Sequence, residues 1–191
     1  MTPDKIRLRP WMLRIAVGFE KTYYGEMDTL SHGLWGSLAF GRKNRKSLWL
    51  AFLFGMAPDL FSFGPFFVST FLGLAERPAF SSQPPPDSAI PVYVHILYRY
   101  THSLVLFAVL FLILWAVMRK PLWEFSAWGL HVLYDIPFHE RRFFPTPFLW
   151  PVSSYTFDGI SWGHPLVFIP NVTALALLAA IFLYQRARKK Y

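Results

Sequence analysis

Acids and histidines lie inside otherwise apolar segments of this 191-residue chain, and this feature limits its fold more than any other. Ionisable side chains are costly in membrane-length segments, at about 3 kcal/mol or more each near the bilayer centre. They therefore face a partner or a cavity rather than lipid, and a group of metal-binding types predicts a polar site buried in a membrane protein. Six such residues occur along the chain: Asp28, His32, Asp59, His102, His131 and Asp135.

The composition also favours a membrane environment. Hydrophobic residues make up 54% of the chain and charged residues only 16%, whereas soluble domains have roughly 25% charged residues. The chain has no cysteine, so disulfides and thiolate ligands are excluded and any metal must be held by nitrogen and oxygen. The net charge of +8 would suit nucleic acid, but the basic residues cluster at the ends of apolar segments and no recognition motif accompanies them. We therefore expect membrane lipid, and not nucleic acid, as a partner.

The order of these segments predicts an all-α fold, a polytopic membrane bundle with about four to five membrane segments and an N-terminal interfacial helix. Residues 1–27 mix basic and apolar side chains, which is typical of an amphipathic helix at a membrane surface. Residues 28–185 are predicted to form the helical membrane domain, and residues 186–191 a basic cytoplasmic tail. The pattern of basic clusters indicates a multi-pass membrane protein.

Individual segments carry more specific predictions. Residues 47–74 are long enough to cross a bilayer, with a kink or break expected at Pro58 and at the Gly64-Pro65 pair. Residues 92–118 and 165–184 are predicted to be spanning helices. A further apolar segment, residues 123–136, is expected to end at Pro137.

Spacing predicts that the buried polar groups meet. Asp28 and His32 are four residues apart, as are His131 and Asp135, so each pair lies on one face of a helix. At about 1.5 Å of rise per residue, these groups and His102 come out near the middle of the bilayer. Imidazole and carboxylate without thiolate suit zinc, and also manganese or iron. One ion or two would be compatible with this set, and either would favour attack by water on a phosphoryl or acyl centre.

Structural roles compete with these functional ones. Asp28 is also a good N-cap residue, and Pro58-Asp59 also suits a turn between two half-helices. A histidine inside a membrane helix is more often a helix-to-helix hydrogen-bonding group than a ligand. This structural role is the favoured interpretation for each of three further histidines, His95, His139 and His164.

Five short motifs resemble a known bacterial family, the inner-membrane-associated metal-dependent hydrolases that include a LexA-binding member. Together they cover roughly residues 27–165. The motifs, in chain order, are Ser31-His32-Gly33, Pro58-Asp59, Thr101-His102-Ser103-Leu104, His131-Val-Leu-Tyr-Asp135 and Leu149-Trp150-Pro151. The resemblance implies that the family's polar positions are His32, Asp59, His102, His131 and Asp135.

These observations lead to a specific hypothesis, a membrane-bound hydrolase with a divalent metal, zinc above others, that acts on a phosphoester or lipid-like substrate. Asp28 or Asp59 is the candidate general base, and Arg99, one turn before His102, is a candidate contact for substrate phosphate. A transporter or ion pathway is one alternative, and a non-catalytic membrane scaffold is another. The predicted metal ligands are His32, Asp59, His102, His131 and Asp135.

Overall fold

The computed structural model describes residues 28–76 and 85–188. Within those residues the chain forms seven α-helices and no β-strand, which confirms the predicted all-α class. The predicted interfacial segment at residues 1–27 and the end of the basic tail lie outside the described residues. The helices are α1 (Asp28–Phe40), α2 (Arg45–Ser62), α3 (Gly64–Phe71), α4 (Val92–Thr101), α5 (Leu104–Met118), α6 (Ser126–Phe138) and α7 (Pro165–Arg188).

Helix α7 is the one helix in the described part of the chain that is long and apolar enough to cross a membrane by itself, over Pro165–Gln185. Two helix pairs reach that length only together, α2 with α3 and α4 with α5, and each pair is sharply bent. Length and hydropathy therefore support one clear membrane span among the described residues, or up to three if each bent pair counts as one. The predicted number of four to five segments is higher than this.

The segment predicted as one helix at residues 92–118 is in fact two helices, α4 and α5, that meet at an angle of 58°. The cause is Ser103, which has an extended backbone (φ −100°, ψ 121°) and is the N-cap of α5. Its Oγ accepts a hydrogen bond from the Leu106 amide at 3.1 Å, and serine is among the preferred N-cap residues. His102 consequently lies at the bend, outside both helices.

A distant loop holds this bend in place. The Leu104 amide donates a hydrogen bond to the Phe148 carbonyl oxygen at 2.9 Å, and the Ser103 hydroxyl donates to the Trp150 carbonyl oxygen. Backbone groups released from a helix must find other partners when they are buried. The loop between α6 and α7 supplies those partners.

The break between α2 and α3 falls where the sequence predicts one. The two helices are bent by 65°, and α3 begins at Gly64 with Pro65 in its first turn, a position that proline tolerates. Pro58 lies inside α2 without ending it. This leaves Asp59 on the last turn of α2.

Helices α1 and α2 pack closely because small residues lie where they cross. A Cβ atom on Gly36 would lie 2.7 Å from the Ala51 carbonyl oxygen and 2.8 Å from the Ala127 Cβ. A Cβ atom on Gly55 would lie 2.5 Å from the His32 carbonyl oxygen. Small residues allow helix backbones to approach in this way in membrane proteins.

We expect Gly36→Ala to lower the stability of the protein in detergent. The added methyl group would press on a backbone oxygen that cannot move without shifting a helix, and overpacking of this kind costs about 1–3 kcal/mol. Gly64→Ala is the matched control, since a Cβ atom there meets no other atom within 4 Å. Thermal unfolding should show a lower midpoint for Gly36→Ala alone, and equal midpoints for the two variants would contradict the close crossing.

Candidate metal centre

Four parts of the fold bring the five predicted ligands into one cluster. Helix α1 carries His32 and α2 carries Asp59. The bend between α4 and α5 carries His102, and α6 carries His131 and Asp135 on one face. All but Asp59 are fully or almost fully buried, so the helices enclose the cluster.

The Asp135 carboxylate is the centre of this cluster. Its Oδ1 lies 3.0 Å from His32 Nε2. Its Oδ2 lies 3.1 Å from His131 Nε2 and 3.3 Å from His102 Nε2. The side chain is 1% exposed, and a buried carboxylate is costly unless cations or hydrogen-bond donors surround it. Asp135 is therefore placed to hold positive charge.

Asp59 completes the set from the more accessible side. Its Oδ1 lies 3.3 Å from His102 Nε2 and 3.5 Å from His131 Nε2. The Thr29 hydroxyl donates to the other oxygen, Oδ2, at 2.6 Å, which fixes the orientation of the carboxylate. With 15% of its side chain exposed, Asp59 is the most accessible of the five.

Backbone carbonyl groups set the orientation of two imidazole rings. His131 Nδ1 lies 2.6 Å from the Gly55 carbonyl oxygen, and His102 Nδ1 lies 3.3 Å from the Tyr98 carbonyl oxygen. A carbonyl oxygen only accepts hydrogen bonds, so the contact with Gly55 assigns the proton of His131 to Nδ1. His102 Nδ1 also lies 2.9 Å from the Thr101 hydroxyl, which can either donate or accept. The His131 Nε2 atom then carries a lone pair directed into the cluster, as in most metal-binding histidines.

The Nε2 atoms of His102 and His131 lie 3.1 Å apart. This separation suits a shared proton, and it equally suits two ligand atoms of one metal ion. Ligand atoms about 2.0–2.1 Å from one tetrahedral zinc ion lie about 3.3 Å from one another. The separations within the cluster, 3.0–3.5 Å, match this value. The donor set therefore fits a divalent metal, in two overlapping groups: His32 with Asp59 and His131, and His102 with His131 and Asp135.

His139 is a sixth member that the sequence analysis did not include among the ligands. Its Nε2 lies 3.6 Å from Asp135 Oδ1, and its Nδ1 donates to the Phe144 carbonyl oxygen at 2.9 Å. The signal for it was the spacing of four residues from Asp135. The helix ends close to Pro137 as expected, at Phe138, and His139 is its extended C-cap residue, so the contact does not need a further helical turn.

Aromatic rings pack around the imidazoles and keep their surroundings apolar. The His32 ring stacks on the His131 ring at 3.8 Å and meets the edge of Trp162 at 5.2 Å. The Tyr98 ring stacks on His102 at 3.7 Å. Such packing limits ring rotation and excludes water, and both effects strengthen the interactions of the cluster with a cation.

Two predicted catalytic residues are not part of the described cluster. Asp28 is the first residue of α1, but its side chain lies outside the described part of the structure. Arg99 is exposed on α4, and it is not among the described side chains that contact the cluster. Its predicted contact with substrate phosphate remains a prediction.

The other two histidines have structural surroundings, as the sequence favoured. The His95 ring stacks on Phe144 at 4.6 Å. His164 Nδ1 accepts a hydrogen bond from the Leu166 amide at 3.3 Å, next to the start of α7. Neither ring has a described contact with the cluster.

Comparisons of this chain with protein-family models, with curated proteins and with solved structures found no match. The geometry of the His/Asp cluster is therefore the main guide to function.

Proposed function

We propose that this chain is a multi-pass membrane hydrolase that uses a divalent metal, zinc above manganese or iron, to cleave phosphoesters in a lipid or lipid-like substrate. One observation carries the proposal, the convergence of four imidazole Nε2 atoms on the carboxylate of Asp135 inside a helical bundle. Structural zinc sites in soluble proteins are commonly closed by thiolates, whereas catalytic sites favour histidine and carboxylate. The ligand chemistry therefore favours catalysis.

Different residues of the cluster would bind the metal and transfer the proton. When bound, a divalent ion supplies a Lewis acid for a phosphoryl oxygen and acidifies water towards neutral pH. Asp135, His102 and His131 would hold it. Asp59, oriented by Thr29 and partly exposed, would accept a proton from the attacking water. Asp28 is the alternative base predicted from the sequence.

The surface of the described helices supports a membrane location. No residue of α5 is buried, although its fifteen residues are all apolar. Leu112, Ile113 and Val117 are among those exposed by half or more, and α7 exposes apolar residues in the same way. Contiguous apolar faces of this kind suit lipid tails. We propose four to five membrane segments in the bacterial inner membrane, with the bent helix pairs counted among them.

We further propose that the chain belongs to the family of inner-membrane-associated metal-dependent hydrolases that it resembles in sequence. Support comes from the motifs of that resemblance, since Asp59, His102, His131 and Asp135 all lie in the cluster. His102 owes its position to the serine that follows it in the Thr-His-Ser motif.

The test is hydrolysis by detergent-purified protein loaded with zinc, against soluble aryl phosphomonoesters, aryl phosphodiesters and phospholipid vesicles. We expect turnover of at least one class, its loss in chelator, and its recovery when zinc is restored. His102→Ala should lack the activity and His95→Ala should keep it, because only the first ring touches the cluster. Absence of turnover on every class, together with proton-coupled ion flux in vesicles, would favour the transporter alternative instead.

A further inference from the structure

The cluster contains more ligand atoms than one ion of the proposed kind can use. Zinc in proteins almost always has four ligands, of which a catalytic site supplies three from the protein. Here four imidazoles and two carboxylates come together: His32, His102, His131, His139, Asp59 and Asp135. Burying surplus imidazole and carboxylate groups costs free energy unless a second charge is there to use them.

The two oxygens of Asp135 face different pairs of histidines. His102 Nε2 and His131 Nε2 approach Oδ2, at 3.3 and 3.1 Å. His32 Nε2 and His139 Nε2 approach Oδ1, at 3.0 and 3.6 Å. Each pair includes one residue of α6 or its end and one residue from another part of the fold. A carboxylate whose oxygens serve separate imidazole pairs has the form of a bridge between two ions.

Asp59 distinguishes the two halves of the cluster. Its Oδ1 lies within 3.5 Å of the nitrogens on the Oδ2 side of Asp135, those of His102 and His131. That half therefore has two imidazoles and the shared carboxylate as ligands, with the Asp59 carboxylate beside them as the candidate base. The half around His32 and His139 has two imidazoles and the shared carboxylate, which leaves room for water or substrate.

We propose that Asp135 bridges two divalent cations, one held with His102 and His131, next to Asp59, and the other with His32 and His139. This inference rests on the metal-binding part of the proposed function and deepens it. Paired ions in hydrolases stabilise both the attacking and the leaving oxygen of an in-line displacement at phosphorus. The substrate class that we propose for this pair of ions is a phosphate ester.

Metal stoichiometry tests this directly. Protein purified in detergent is loaded with zinc, freed of excess ion, and analysed by elemental mass spectrometry, with the protein quantified by amino-acid analysis. We expect two ions per chain in the wild type and one in His139→Ala, because the described contact of His139 with Asp135 is to Oδ1. His95→Ala is the matched control and should keep two, since its ring stacks on Phe144 instead.

A second measurement, with a more conservative variant, tests the proposal if His139→Ala is unstable. Protein loaded with manganese should give the electron paramagnetic resonance signal of two coupled ions in the wild type. His139→Gln, which retains a polar side chain of similar length, should give the six-line signal of an isolated ion. One ion per chain in the wild type, or two coupled ions in both His139 variants, would overturn the proposal.

The outcomes also separate this inference from the proposed activity. Two ions per chain without hydrolysis of any phosphoester would support the bridge and overturn the proposed function. Hydrolysis of a phosphoester by protein with a single ion per chain would support the proposed function and overturn the bridge.

Discussion

Replacing Asp135 with asparagine is expected to remove bound divalent metal from the purified protein. Asp135 contacts all four clustered imidazoles, at 3.0–3.6 Å. Asparagine keeps the shape of the side chain but removes its negative charge and one acceptor oxygen. Loss of a partner outside the ligand shell already costs about 10–100-fold in metal affinity, so loss of this ligand should cost at least about 100-fold.

The measurement is metal content per chain after equilibration with a fixed low concentration of zinc, beside wild type and Asp158→Asn. Asp158 is a matched control, because it is an exposed carboxylate that accepts a hydrogen bond from the Arg141 amide in the loop. Wild type and Asp158→Asn should retain metal, and Asp135→Asn should not. Full metal occupancy in Asp135→Asn would show that the metal is bound elsewhere in the protein.

Replacing Asp59 with asparagine is expected to abolish most of the turnover while retaining most of the metal. Asp59 contributes one oxygen near His102 and His131, and Asp135 serves those same two nitrogens. The metal therefore keeps ligands in the variant, whereas the candidate base is lost. General base catalysis is typically worth about 10²–10⁴-fold, and we expect kcat to fall within that range.

Thr29→Val is the companion variant for Asp59. It removes the hydroxyl that donates to Asp59 Oδ2 but leaves the carboxylate in place. We expect a drop in kcat that is smaller than for Asp59→Asn, with unchanged metal content. If Asp59→Asn were as active as the wild type on the substrate identified by the screen, Asp59 would not be the base and Asp28 would be tested next.

Periodicity and hydropathy predicted the helical class and the end of α2 near Gly64-Pro65, since these depend on local properties of the chain. The bend at His102 was not predicted, because Ser103 is a suitable N-cap residue but a serine alone does not interrupt a helix. Part of the cause of the bend lies far along the chain, in hydrogen bonds from Ser103 and Leu104 to the loop carbonyls of residues 148 and 150. A pattern within one segment cannot show a partner more than forty residues away.

More of the candidate site than of the surrounding fold could be predicted from the sequence. Spacing of four residues placed His131 and Asp135 on one face, and both lie in the cluster. His139 was left out because a proline usually ends a helix. The helix does end at Phe138, but His139 reaches Asp135 from the C-cap position. The Gly55 carbonyl that orients His131 is a backbone atom, so no residue type in the sequence could have marked it.

The bend between α4 and α5 has a consequence for the order in which the protein is assembled. During synthesis, residues 92–118 leave the ribosome before the loop carbonyls of residues 148 and 150 that hold the bend. Until then a continuous helix satisfies the backbone of this apolar segment better than a broken one does. The segment would therefore enter the bilayer straight and bend only when the later loop docks. The proposed metal centre would need His102 at that bend and would therefore be completed late in biogenesis, so a chain interrupted before residue 148 would lack a complete site.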